Sequence, residues 1–338
     1  MFKRWIAVAS CMAASLVPMH IEAAETLPAL RQRELSAWVT YWDYDNALGE
    51  ALRLGDSLTS LIFFAAFFDE NNEVIVPDEL DMLYDLSGPL FDGAPPDRYI
   101  SFVNDKITDD GTALLKDTGL LWELLGSPEG VCAHVNDLIA LTQNYGFDGI
   151  EIDYEAIGGD FALWEHFLSF LTLLYQRADA CGLKLRVMLE PSAPLAALTF
   201  PGGISYVMMC YNLYGGHSGP GPKADDSFIR ALVHDMEVLP GNKGFALATG
   251  GFSWVEGQGA QSLTQSQAEM LAETAGKLPT RDEASGSLHF ECRDGQGRLN
   301  TVWYADGVTL RRWQTIIAES GQHDISIWRL GGNRDIGE

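Results

Sequence analysis

The stretch Phe147-Asp148-Gly149-Ile150-Glu151-Ile152-Asp153-Tyr154-Glu155 sets carboxylates at every second position. Side chains of an extended chain alternate between two faces. Glu151, Asp153 and Glu155 therefore share one face, and Ile150, Ile152 and Tyr154 the other. Neighbours on one face lie about 6.6 Å apart along a strand. Carboxylates that close do not all ionise cheaply, so at least one should keep its proton toward neutral pH. Such a carboxyl can protonate a leaving oxygen, which is general acid catalysis.

Two other readings compete. A solvated edge strand would also alternate charge, but it explains neither the apolar opposite face nor Gly149 at the start of the run. Carboxylates also bind hard cations, yet no HxH or HExxH spacing supports a transition metal, and the seven His are scattered. Catalytic carboxylates are favoured, with no metal and no cofactor expected. A serine hydrolase lacks its GxSxG. Gly257-Gln258-Gly259 and Gly295-Gln296-Gly297 lack the third glycine of a dinucleotide turn and open no helix.

The elements that would position this run alternate along the chain. Strands are expected at Leu35 to Tyr41, Leu58 to Ala65, Tyr99 to Val103, Phe147 to Asp153, Leu183 to Leu189, Ile204 to Cys210, Gly244 to Ala248 and Asp324 to Trp328. Helices are expected at Val131 to Gln143, Asp160 to Cys181, Ser227 to Leu239, Gln265 to Lys277 and Leu310 to Glu319. Asp160 to Cys181 is the clearest: Phe161, Trp164, Phe167, Leu168, Leu171 and Leu174 fall at helical spacing, with Asp160 as N-cap and Gly182 as stop. Strands separated by helices imply parallel βαβ units. Eight of them predict an α/β fold, a (β/α)8 barrel over residues 34–335, with a small insertion at 279–303 on its rim before the last unit. Active sites of such barrels gather at the C-terminal mouth, where the acidic face would point.

Composition narrows the function class. With 47 Asp and Glu against 22 Lys and Arg, the formal charge is −25, which repels nucleic acid and anionic membranes. The nine Trp, sixteen Phe and eleven Tyr suit a core and also a cleft that stacks on sugar rings. At the N-terminus, Phe2-Lys3-Arg4 precedes an apolar run from Trp5 to Val17 and small residues at Ala23-Ala24. This reads as a signal peptide over 1–23 with cleavage near Ala23, hence export to the periplasm or beyond. A lipoprotein signal ending at Cys11 ranks second. No later stretch approaches the roughly 20 apolar residues of a membrane span. Cys132, Cys181, Cys210 and Cys292 show no CxxC spacing, so free thiols are the default, with one disulfide as the alternative.

The acidic run matches the DGxDxDxE signature of glycoside hydrolase family 18, the chitinase-like hydrolases, with Glu151 where that family usually has Asp. Tyr206-Val207-Met208-Met209-Cys210-Tyr211-Asn212 resembles its sixth strand, with Asn212 in place of the usual Asp. Ile325-Ser326-Ile327-Trp328 resembles its last strand. Asn300 to Tyr304, Trp328 to Gly332 and Ser36 to Trp42 resemble the branch that holds spore-cortex and spore-germination hydrolases. The resemblance spans most of residues 34–332. The SxGG pattern of many chitinases is missing at Tyr99 to Asp105, which speaks against a specialist in crystalline chitin.

This resemblance implies a retaining hydrolase that cleaves β-1,4 bonds beside N-acetylglucosamine, in chitin-type or peptidoglycan-type chains, by substrate-assisted catalysis. Glu155 would be the acid. Asp153 would orient the substrate's own N-acetyl group, Glu151 would support Asp153 electrostatically, and Tyr211 would hydrogen-bond the N-acetyl carbonyl. Trp328 would floor the cleavage site, with Asn212, Trp42, Tyr214 and Asp148 as further substrate-binding candidates. Trp254, Trp303 and His217 rank lower, as core or loop residues. A monomer is expected. The competing class is a chitinase-like carbohydrate-binding protein with weak or no turnover. Lectin-like members usually replace the final Glu, whereas Glu155 is present.

Overall fold

The computed structural model describes residues 34–91 and 93–336. The expected signal peptide, its expected cleavage near Ala23 and Cys11 lie outside the described residues. Eight parallel strands form the centre: β1 (Leu35–Thr40), β2 (Ser60–Phe68), β3 (Asp97–Ile107), β4 (Gly149–Asp153), β5 (Lys184–Leu189), β6 (Ser205–Met209), β7 (Lys243–Ala248) and β8 (Asp324–Trp328). Each pairs with its successor, and β1 also pairs with β8, so the sheet closes into a barrel. All the expected strands are present, β2 and β3 running further than their apolar runs.

The helices are α1 (Tyr44–Leu54), α2 (Leu80–Ser87), α3 (Thr118–Leu125), α4 (Pro128–Tyr145), α5 (Phe161–Ala180), α6 (Asp226–Asp235), α7 (Gln265–Thr274) and α8 (Gly307–Ala318). In α5 the Asp160 side chain accepts from the Leu163 N–H, and Gly182 follows in the left-handed region, as its sequence spacing predicts. The helices α1 to α3 escape the periodicity reading. They span two or three turns each, and α1 and α3 carry an internal glycine, which is too little for a clear 3.6-residue repeat. Between β5 and β6 only a short 3-10 turn, Leu195–Ala197, replaces the outer helix.

The insertion is larger than residues 279–303. A five-stranded antiparallel sheet runs in the order Ala260–Leu263, Gly250–Val255, Leu299–Ala305, Leu288–Arg293, Thr280–Arg281. Helix α7 packs on it through Ala268 and Ala272 against Phe290, Val302 and Tyr304. It therefore belongs to the inserted unit rather than to the barrel's outer ring. One short helix among short strands imitates a βα alternation, which is why sequence alone assigns it to the barrel. The unit opens at Gly251, where a Cβ would meet the Trp303 carbonyl oxygen at 1.8 Å. A close backbone approach is thus the reason for glycine there.

Two apolar layers hold the barrel. Inside it lie Trp38, Ile62, Tyr99, Met188, Val207, Met209 and Ala246. Between strands and helices lies the larger layer, in which Ile150, Ile152 and Tyr154 of the acidic segment pack with Phe167 and Phe170 of α5. Burying each such Phe contributes about 1.5–3 kcal/mol. Tyr154 shares a 2.7 Å hydrogen bond with the buried His134 of α4, whose imidazole burial depresses to a pKa of about 3. Cys132, Cys181, Cys210 and Cys292 are free thiols.

Candidate active site

With the apolar face of β4 turned to the helices, its other face enters the barrel. Gly149 comes first. A Cβ there would stand 2.4 Å from the Tyr99 ring and 2.9 Å from the Lys184 carbonyl oxygen, so glycine makes room for Tyr99 in the lowest layer. Glu151 comes next and is wholly buried. Its Oε1 accepts from the Trp38 indole N–H at 2.7 Å, and its Oε2 lies 2.7 Å from Arg186 Nε on β5. The Arg186 guanidinium also donates to Ser36 Oγ and Ser326 Oγ, each at 3.0 Å. Glu151 is thus held beneath the mouth rather than facing it.

Asp153 stands above, almost fully buried, with its Oδ1 lacking any hydrogen-bond partner among the described residues. Burial raises its carboxyl well above the usual range, and the charges of Glu155 and Glu151 add to the rise. Glu155 follows just past the strand end, where Asn104 grips its backbone: Asn104 Oδ1 accepts from the Glu155 N–H at 2.8 Å and Nδ2 donates to its carbonyl at 3.1 Å. The Glu155 carboxylate is ion-paired with Lys116, and Lys116 Nζ lies 3.7 Å from Glu190. Burial pushes the Glu155 carboxyl up to about 7; Lys116 pulls against that rise and Glu190 adds to it. Burial works against the Lys116 ammonium, yet Glu155 and Glu190 raise its pKa overall.

The backbone around this centre is unusual. Lys116, Ala156 and Asn212 all have positive φ, at 54°, 64° and 58°. Each such non-glycine residue costs of order 1–3 kcal/mol and persists only where its surroundings enforce it. Here the enforcing contacts are visible. The Lys116 N–H donates to Asp105 at 2.8 Å, and the Ala156 N–H donates to Glu190 at 2.7 Å.

At the C-terminal mouth opens a cleft of about 430 Å³, bordered by Phe64, Lys116, Asp153, Glu155, Glu190, Pro191, Ser192, Met209, Tyr211, Asn212, His217 and Trp328. The fold therefore gathers Asp153, Glu155, Tyr211, Asn212, Trp328 and His217, which lie as far apart as 175 positions in the chain. Burial and the carboxylates hold the Tyr211 phenol well above its usual pKa, so it is a hydrogen-bond donor. Trp328 meets Phe64 edge-on at 5.1 Å, and Phe64 in turn meets Trp42 at 5.7 Å. Trp42, 51% exposed, extends this aromatic wall outside the cleft.

Other expected residues are elsewhere. Asp148 sits at the opposite end of β4, where its carboxylate accepts from the Arg98 N–H at 2.8 Å. Seven residues of extended chain, roughly 20 Å, separate it from Glu155, so it staples the barrel floor and is not a substrate contact. The Tyr214 ring lies against Gly221 within its own loop, outside the cleft lining. Trp303 stacks on His289 in the inserted sheet, 4.4 Å between ring centroids. Trp254 is buried.

Sequence reasoning misses Lys116, Glu190, Asn104 and Arg186. For Glu190 a signal existed: it is the residue just past β5, at the end of the barrel where such sites gather. Lys116 had none, because it lies in a loop between β3 and α3.

No protein-family model matches the sequence. A Bacillus subtilis protein named as a sporulation-specific glycosylase, YdhD, is 26% identical over 231 residues, covering 63% of this chain and 54% of the relative. The chain thus spans about half the length of that relative. The uncharacterized glycosylase YvbX of Bacillus subtilis is 21% identical over 254 residues, covering 70% of this chain and 71% of the relative. Among solved structures, the spore cortex-lytic enzyme SleL of Bacillus cereus matches with a TM-score of 0.75 at 17% identity, over 90% of this chain and 72% of that one. A chitinase from Chromobacterium violaceum matches with a TM-score of 0.74 at 19% identity, over 90% and 96% of the two chains. The fold is the (β/α)8 barrel of those enzymes. The chain is similar in sequence to YdhD and YvbX, and in fold to SleL and the chitinase.

Proposed function

We propose that this protein is an exported, monomeric glycoside hydrolase that cleaves β-1,4 bonds beside N-acetylglucosamine, with retention, through participation of the substrate's N-acetyl group. One observation carries the reading. Glu155, its pKa near 7, shares a cleft with a buried Asp153 whose Oδ1 has no hydrogen-bond partner among the described residues. A carboxyl titrating there supplies a proton to the glycosidic oxygen near neutral pH. The free oxygen of Asp153 suits an amide N–H, which it would accept while the acetamido oxygen attacks the anomeric carbon. Tyr211, a donor held protonated, would bond that oxygen. Trp328 and Phe64 offer apolar faces to the sugar ring. The names borne by YdhD, SleL and the chitinase support a glycan of this kind.

A carbohydrate-binding protein without turnover is the second reading. The Lys116–Glu155 ion pair favours it, since it draws the acid toward its charged form.

The test is fluorophore release from di- and trisaccharide glycosides of N-acetylglucosamine by wild type, Glu155→Gln and Asp153→Asn. Release by wild type, cut by about 10² or more in kcat in either variant, is the expected result. Binding of the sugars with no release by any of the three proteins selects the binder. Near-normal release by Glu155→Gln removes Glu155 as the acid.

A further inference from the structure

The mechanism just proposed uses the upper two carboxylates of β4 and leaves the third unexplained. Glu151 is fully buried, yet it is held on both oxygens: Oε1 accepts from the Trp38 indole N–H at 2.7 Å, and Oε2 is ion-paired with Arg186 Nε at 2.7 Å. Arg186 is itself buried. It is braced by Ser36 on β1 and Ser326 on β8, which also bond each other at 2.7 Å, and it lies over the Trp38 and Tyr99 rings. Four strands of the barrel thus contribute to fixing one carboxylate. Burying such a pair costs several kcal/mol in desolvation, and packed apolar side chains would fill the space as well. Stability alone is a poor reason for it.

Geometry supplies a better one. Glu151 and Asp153 are adjacent on one face, about 6.6 Å apart along the strand. Two neighbouring carboxyls free to turn toward each other share a proton, and each then occupies the other's lone pairs. The Glu151 side chain instead reaches across the barrel to Trp38 on β1 and sideways to its register partner Arg186 on β5, and the Asp153 Oδ1 keeps no hydrogen-bond partner among the described residues. An Asp at position 151 would fall one methylene short of both Trp38 and Arg186.

We propose that Arg186 is a positioning residue of the Asp153–Glu155 couple: by drawing Glu151 sideways to the neighbouring strand it keeps that carboxylate from pairing with Asp153, which is left to receive the substrate. The inference rests on the glycosidase reading for its effect on turnover, and on geometry alone for its effect on the carboxylates. The charged and titratable groups around the couple are Glu151 on β4 with Arg186 behind it, Lys116 in the loop after β3, Glu190 just beyond β5, and Tyr211 and His217 after β6. Of these, Glu151 lies on the buried side and raises the Asp153 pKa through its charge.

The experiment compares wild type, Arg186→Lys, Arg186→Met and the double variant Glu151→Gln/Arg186→Met, with folding checked by thermal melting. For each, kcat, KM and the pH profile are measured on N-acetylglucosamine trisaccharide glycosides. The Asp and Glu carboxyl carbons are titrated by 13C NMR. Arg186→Met should lose about 100-fold in kcat with KM within threefold, and Arg186→Lys should recover at least tenfold of that. The double variant, which buries no unpaired charge and has no carboxylate left to pair with Asp153, should melt close to wild type and regain most of the lost kcat. Its Asp153 titration should move to lower pH by about one unit.

A double variant as impaired as Arg186→Met would overturn the proposal, since Arg186 would then act otherwise than through Glu151. So would wild-type kcat in a folded Arg186→Met. If wild type releases no sugar at all, the glycosidase reading fails and the NMR titration decides alone. An unchanged Asp153 titration in the folded Arg186→Met protein sinks the clamp.

Discussion

Lys116 sets a limit on the acid that a single substitution exposes. As a general acid, Glu155 works only while protonated, so kcat/KM should fall as pH rises through its value of about 7 in the free enzyme. Lys116 pulls that value down through its charge and hydrogen bond. Two unit charges about 4 Å apart interact by about 4 kcal/mol at an effective dielectric of about 20. The Lys116 side chain is 45% exposed, however, against 18% for Glu155, so solvent screens much of this. A surface-like value of about 1 kcal/mol is the better expectation. That corresponds to somewhat under one pH unit. Lys116→Met keeps most of the aliphatic stem and removes the charge. The alkaline limb of kcat/KM should then move up by about 0.7 unit, helped by Glu190, which loses its own neutralising neighbour. The assay is the pH dependence of initial rates between pH 4 and pH 10 on a neutral N-acetylglucosamine oligosaccharide glycoside. A limb that stays in place, or moves to lower pH, would refute the claim that this ion pair poises the acid.

The same carboxyl has a cost in stability. Its pKa rises from 4.5 to about 7 on folding, so the folded state keeps a proton that the unfolded chain has released. Stability from this group is therefore complete below about pH 4.5 and lost as pH climbs through 7, by at most about 3 kcal/mol. Glu155→Gln should accordingly unfold at higher denaturant than wild type at pH 8 and at the same concentration near pH 4; parallel behaviour at both pH values would contradict it. His134 acts in the opposite direction. Held neutral with its pKa lowered from 6.5 to about 3, it should cost about 1.4 kcal/mol per pH unit as pH falls below 6.5. His134→Gln, which can still bond Tyr154, should flatten the acid side of a stability profile, and an unaltered slope would count against it. Gly149→Ala should destabilise by about 1–3 kcal/mol by forcing the Tyr99 ring and the Lys184 carbonyl. Pairing it with Tyr99→Val should restore much of that loss in urea denaturation, whereas strict additivity would place the strain elsewhere.

Much of this architecture is written locally. Alternation of Ile150, Ile152 and Tyr154 with Glu151, Asp153 and Glu155 follows from strand geometry, and burial of the apolar set obliges the acidic set to enter the barrel. Eight apolar runs broken by helical spacing lead to the closed sheet, and the mouth of the barrel then locates Tyr211, Asn212 and Trp328 beside Glu155. The same logic failed at the edges. Asp148 belongs to the matched motif, but a motif has no ends, and the seven residues to Glu155 carry it to the barrel floor. Helix α7 has the length and spacing of a barrel helix, and only strand pairing from Gly250 to Ala305 reveals that it rides on a separate sheet.

The sequence by itself determined which carboxylates share a face, because side-chain direction is set by the covalent backbone over two or three residues. The tertiary structure alone decided what those carboxylates are. Arg186 and Trp38 reach Glu151 from 35 and 113 positions away. Lys116 meets Glu155 from 39. Desolvation at the cleft, rather than the mere nearness of three negative charges, is the largest cause that lifts Glu155 to about 7. Proton affinity depends on burial and on partners brought from distant segments, and neither is encoded in the spacing of the acidic residues themselves.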